Sequence, residues 1–144
     1  MSLSSALTFL PHGPGFRFIS ELLELIPGQS AKAIYTVRGD EAFLASHFPG
    51  DPILPGVILV EAMAQLSGII AQSDPGIKPL PGLKLSAIRL AKILGSARPG
   101  ETVHLEATIS GRMNHLIQAD AKALVDGTLI AQASLVLSGQ IEVC

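Results

Sequence analysis

The sequence predicts an α+β fold in which antiparallel strands curl round one buried helix. Three observations carry this. Val57 to Gln72 is a run of sixteen residues with no proline, one glycine and apolar side chains on every side, as a helix buried all round requires. The chain after it alternates apolar and polar residues in several runs. Two of these runs flank Asp126-Gly127, a dipeptide that favours a two-residue type I′ hairpin turn.

The elements follow in order. From Ser30 to Arg38, Ala31, Ala33, Tyr35 and Val37 alternate with Lys32, Ile34, Thr36 and Arg38, a period of two that predicts a strand ending at Gly39-Asp40. Glu41 to Pro55 carries three prolines and Gly50, so it reads as an ordered loop, because each proline turns its predecessor away from helical angles. The helix over Val57–Gln72 spans about 24 Å at 1.5 Å per residue. Ser73-Asp74-Pro75-Gly76 stops it, and a Pro/Gly-rich connection runs to Gly82. Strands are expected over Leu83 to Leu94, Glu101 to Ser110, Leu116 to Val125 and Thr128 to Leu137, with turns at Arg98-Pro99-Gly100 and Gly111 to Asn114. In the last hairpin one face gathers Ala119, Ala121, Ala123, Val125, Leu129, Ala131, Ala133 and Leu135, small enough to let the helix lie close to the sheet.

With 144 residues, one domain over 1–144 is expected, large enough to need no disulfide or structural metal. Cys144 is the single cysteine, which excludes a disulfide within the chain and fits a reducing cytoplasm. The composition is 48% hydrophobic and 15% charged with mean hydropathy +0.46, so disorder is excluded and some apolar surface is expected to meet another subunit. A net charge of -2, one tyrosine and no tryptophan give no reason to expect nucleic acid. No Lys or Arg precedes Arg17, so a secretory signal is not expected. Ile53 to Ala71 is long enough for a membrane span, but Pro55, Gly56, Glu61 and Gln65 within it favour a core helix.

Chemistry concentrates between His47 and Gln65. His47 sits in the proline-stiffened loop, and an imidazole with an ordinary pKa near 6.5 suits a general base. Glu61 falls inside the apolar helix next to Val57, Ile58 and Ala64, where burial favours the protonated acid. A base and an acid in contrasting environments make a proton-transfer pair. The plainer readings are a surface histidine, and a glutamate satisfied by Gln65 one turn along. Pro55-Gly56 reads as a helix start, or as one whose Gly56 and Val57 amides face a ligand oxygen. His12 reads as a structural loop residue and His104 as a residue on the wet face of its strand; neither they nor His115 have metal-ligand spacing.

The stretch His47-Phe48-Pro49-Gly50, then Pro55-Gly56-Val57, then Glu61-Ala62-Met63-Ala64-Gln65 resembles the (3R)-hydroxyacyl-acyl carrier protein dehydratases of bacterial fatty acid synthesis, especially the FabZ type. The offset of fourteen residues from His47 to Glu61 matches that pattern. The resemblance extends over about residues 10–138, through Leu10-Pro11-His12, Pro99-Gly100-Glu101 and Ala123-Leu124-Val125-Asp126-Gly127. It implies a hot-dog fold and homodimers, with trimers of dimers as a further assembly, in which the histidine of one subunit faces the glutamate of the other. It also implies dehydration of a carrier-linked (3R)-3-hydroxyacyl thioester to the trans-2-enoyl thioester, with no metal or organic cofactor. His47 would take the C2 proton, Glu61 of the partner would protonate the hydroxyl, and Gly56 would polarise the thioester carbonyl, with Ile53, Val57 and Gln65 lining the substrate site. Asp51-Pro52 resembles the FabA type, whose members also isomerise the double bond, but that type carries Asp where this chain has Glu61, so simple dehydration is favoured.

Pro75 to Gly100 contains Lys78, Lys84, Arg89, Lys92 and Arg98 with no Asp or Glu. Such a segment suits docking of an acidic acyl carrier protein, expected at Lys84, Arg89, Lys92 and Arg98, and equally a strand edge guarded by lysines. Two other classes stay open: a hot-dog acyl thioesterase, and a non-catalytic acyl-binding subunit.

Overall fold

The computed structural model describes residues 2–140. A short helix α1 (Leu3–Ala6) leads into β1 (Glu21–Ile26), β2 (Ser30–Thr36), the long helix α2 (Gly56–Gln72), β3 (Lys84–Ile93), β4 (Thr102–Met113), β5 (Leu116–Val125) and β6 (Thr128–Ser138). The strands form one antiparallel sheet in the order β1-β2-β4-β5-β6-β3, and α2 packs in its concave side, the hot-dog arrangement.

The packing follows from side-chain size. Leu59, Met63, Leu66, Ile69 and Ile70 of α2 are fully buried. They meet a sheet face where Ala121 pairs with Ala133 and Ala123 with Ala131, side chains small enough for the helix to come close. Full burial of each large side chain contributes about 1.5 to 3 kcal/mol. Asp126 and Gly127 both take positive φ, 49° and 79°, as the type I′ turn demands. A bulge between Ala123 and Leu124 then shifts the register, so Ile130 and not Leu129 turns fully into the core.

Several expectations need correction. The helix is not buried all round: Val57 is 74% exposed, and Glu61, Gly68 and Gln72 lie half-buried along one open stripe. β1 has no expectation behind it, because only Leu22 is fully buried, Leu25 packs partly against the core, and a bulge between Leu22 and Glu24 breaks the alternation. β2 ends at Thr36, before Arg38. β4 runs on to Met113, with Gly111 at a bulge, so the β4–β5 turn is shorter than Gly111 to Asn114. β3 is an edge strand whose Ile88, Leu90 and Ile93 are exposed. Among the described residues no helix is long and apolar enough to cross a membrane. Cys144 lies outside the described residues.

Candidate active site

The loop before α2 is held at several points. A single turn at Leu44–Ser46 ends where the His47 amide donates to the Leu44 carbonyl. The Phe48 and Asp51 backbones exchange hydrogen bonds of 3.1 and 2.9 Å, and the Leu54 amide donates to Ala97 beyond β3. Arg98 forms an ion pair with Asp51. The His47–Phe48 peptide is cis, and the two rings stack with centroids 4.3 Å apart.

This frame sets the imidazole. His47 Nδ1 lies 3.2 Å from the Ile53 carbonyl oxygen. A carbonyl only accepts, so Nδ1 carries the proton and Nε2 keeps a free lone pair. Ile53 also donates its amide to the His47 carbonyl at 2.8 Å, so its visible role is to orient His47.

At the start of α2, Pro55 offers no side-chain cap, and the first amides bonded to its carbonyl are those of Ile58 and Leu59. The Gly56 and Val57 amides have no acceptor among the described residues, an arrangement that suits a ligand oxygen. A Cβ on Gly56 would sit 3.1 Å from Ile93, so the helix start abuts the end of β3.

One turn further, Glu61 opens into a pocket of about 470 Å³ lined by Leu10, His12, Gln65, Gly68, Leu83 and Leu137 among others. Its side chain is 21% exposed and has polar company, in contrast to the apolar setting expected from sequence. Gln65 Nε2 donates to Glu61 Oε1 at 3.3 Å, and His12 Nε2 lies 3.2 Å from the same oxygen. Gln65 also accepts the Phe18 amide and donates to the Phe16 carbonyl, both at 2.8 Å, which ties the loop bearing His12 to α2. Sequence reasoning thus missed His12 as part of the site; the Leu10-Pro11-His12 resemblance was the available signal.

The structure gathers Glu61 and Gln65 on one wall and places Gly56 and Val57 at the helix end, whereas His47 is not among the residues lining the Glu61 pocket. Lys84 lines that pocket, while Arg89 and Lys92 lie exposed on β3. Arg98 is engaged: besides Asp51, it donates its backbone amide to Glu101 at 2.7 Å, so the basic segment is not free of acidic neighbours in space.

Sequence reasoning also missed a buried carboxylate that shapes the entry to the loop. Glu41 accepts the Tyr35 hydroxyl at 2.6 Å and the backbone amides of Gly39 and Arg38. Burial works against its charge, yet these donors hold its carboxyl below the usual carboxylate range. Burial, and then the bond to Glu41, push the Tyr35 hydroxyl up.

A central helix in a wrapped antiparallel sheet, with a histidine loop before the helix and a carboxylate one turn inside it, defines a hot-dog protein of the acyl-thioester type. Residues 10–134 match the FabA-like domain, and the chain belongs to that family, on its FabZ side. It is 35% identical over 137 residues to the 3-hydroxyacyl-[acyl-carrier-protein] dehydratase FabZ of Dechloromonas aromatica, covering 94% of this chain and 95% of that one. The FabZ of Klebsiella pneumoniae is 32% identical over 136 residues, covering 94% and 90%. Among solved structures, the dehydratase heterocomplex ApeI:P from Xenorhabdus doucetiae superposes with a TM-score of 0.79 at 15% identity, over 99% of this chain and 93% of that one. Zebrafish thioesterase superfamily member 2 superposes with a TM-score of 0.73 at 16% identity, over 97% and 99%. At such identities these two speak to the fold alone.

Proposed function

We propose that the chain dehydrates carrier-linked (3R)-3-hydroxyacyl thioesters to trans-2-enoyl thioesters, in a homodimer whose sites combine His47 of one subunit with Glu61 of the other. The observation that carries this reading is the pair of complementary proton sites. His47 offers a bare Nε2, and Glu61 offers a carboxyl at the mouth of a mainly apolar pocket. His47 removes the C2 proton while the Gly56 amide stabilises charge on the thioester oxygen, a type of contact that contributes about 2.7 to 4 kcal/mol. Glu61 gives its proton to the C3 hydroxyl, the C3–O bond breaks, the C2–C3 double bond forms and water leaves. Proton exchange with solvent then resets both side chains. No step calls for a metal or organic cofactor.

The acyl chain lies along the α2 stripe past Ala64 and Gly68, toward Leu83 and Leu137. Val57 and Ile53 flank the entrance, and Gln65 acts through Glu61. Lys84, Arg89 and Lys92 serve carrier docking, with Arg98 supporting the loop. The exposed apolar residues of β3 are the natural partner surface, and a cytoplasmic location goes with this reading.

The test is incubation of purified protein with 3-hydroxyacyl thioesters on carrier, followed by product analysis. Enoyl thioester is the expected product. Free acid would make the protein a thioesterase, and no turnover would make it an acyl-binding subunit.

A further inference from the structure

Resting on the dehydratase reading, we propose that His12 is a positioning residue that fixes the acid. Its Nε2–H donates to Glu61 Oε1, and Oε2 is thereby the oxygen that carries the proton to the substrate. Oε1 already receives one N–H of Gln65 at 3.3 Å, and His12 Nε2 stands 3.2 Å from the same oxygen, within reach of its second lone pair. Among the described residues no hydrogen bond reaches Oε2. In a protonated carboxyl the oxygen accepting two donors is the carbonyl oxygen, and the hydroxyl is the other one. The network therefore selects which oxygen delivers the proton.

The backbone that carries the imidazole is itself held. Arg17 Nε donates to the His12 carbonyl at 2.7 Å, and the ring lies 6.1 Å from that of Phe16. Gln65 clamps the Phe16 and Phe18 backbones to α2, so one amide side chain orders both the loop of His12 and the carboxyl it meets. His12 Nδ1 is buried and has no hydrogen-bond partner. A proton there would be a buried, unmatched donor, so the ring carries its proton on Nε2, facing Glu61. Lys84, from β3, is the other charged group on this wall.

The experiment compares wild type, His12→Gln, His12→Phe and Glu61→Gln, with circular dichroism and melting as controls for folding. Phe removes the donor and keeps the bulk, whereas Gln keeps an N–H. His12→Phe is expected to lower kcat by at least about tenfold with KM within about twofold, and His12→Gln to recover to within about threefold of wild type. An independent readout is the ¹³C signal of the Glu61 carboxyl, assigned by its loss in Glu61→Gln. Its chemical shift at fixed pH should change in His12→Phe, because the carboxyl loses an N–H donor, and return toward wild type in His12→Gln. Wild-type kcat in a folded His12→Phe protein, or an unchanged carboxyl signal, overturns the proposal. If wild type forms no enoyl product, the dehydratase reading fails and the carboxyl signal alone decides whether His12 holds Glu61.

Discussion

His47 meets a carbonyl through Nδ1, and this single contact decides which nitrogen is free for chemistry. His47→Ala should fold normally and lose at least about 10² in dehydration rate, the lower end for a missing general base. Near-normal enoyl formation by the folded variant, followed by absorbance, would contradict the assignment. Glu41 is a different kind of acid, spent on structure. Because its donors lower its folded-state pKa, the stability it contributes is present above the ordinary carboxylate value of about 4.3 and is lost as pH falls through the depressed folded value. Urea unfolding between neutral and acid pH should show this slope, and Glu41→Gln should flatten it. Tyr35→Phe removes a buried donor to Glu41 and should cost about 1 to 3 kcal/mol at neutral pH.

Helix α2 and the edge strand β3 form two walls of the Glu61 pocket. The open stripe of α2 has Gly68 as its floor, where an added Cβ would meet Leu83 and Leu137 at 3.8 and 4.0 Å, ordinary contact distances. Gly68→Ala should therefore be tolerated, while Gly68→Leu fills the pocket. The larger side chain should lower kcat/KM for long acyl chains relative to short ones by at least about tenfold, measured over a series of chain lengths. An unchanged profile would mean that the chain does not pass Gly68. On the other side, Lys92→Glu should raise KM for carrier-linked substrate and spare a small-thiol analogue. Arg98→Glu should lower kcat on both, because it breaks the hold on Asp51 in the His47 loop.

How far the sequence could be read also divides by element. The hairpin, the helix and the Pro-rich loop were legible because turn chemistry and apolar runs are local signals. β1 was not, since its residues Glu21 to Ile26 are mostly Leu and Glu, good helix formers, and a bulge disrupts their alternation. His47 and Glu61 stood out through residue type and spacing. His12 did not, because its partner lies 49 positions away and only the folded chain brings them together.

For the molecule as a whole, the placement of the proposed base and acid has the widest consequence. His47 is not on the wall of the pocket that holds Glu61, and β3 presents Ile88, Leu90 and Ile93 to the outside. An exposed apolar strand edge is a template for pairing with another copy. If two copies meet along it, the end of β3, which already abuts Gly56 through Ile93, brings the helix start of each subunit near the other. Each dimer then has two sites, each built from one His47 and the opposite Glu61. Dimers of His47→Ala alone or Glu61→Gln alone contain no intact site. A mixed dimer contains one intact site and one doubly defective site. Random reassortment of equal amounts makes half the dimers mixed, so activity should return to about a quarter of wild type, as two-fold symmetry requires. Recovery should follow subunit exchange in time, monitored in parallel by mass spectrometry of differently tagged chains. Completed exchange with no recovery would place base and acid of each site in the same chain and refute the shared-site arrangement.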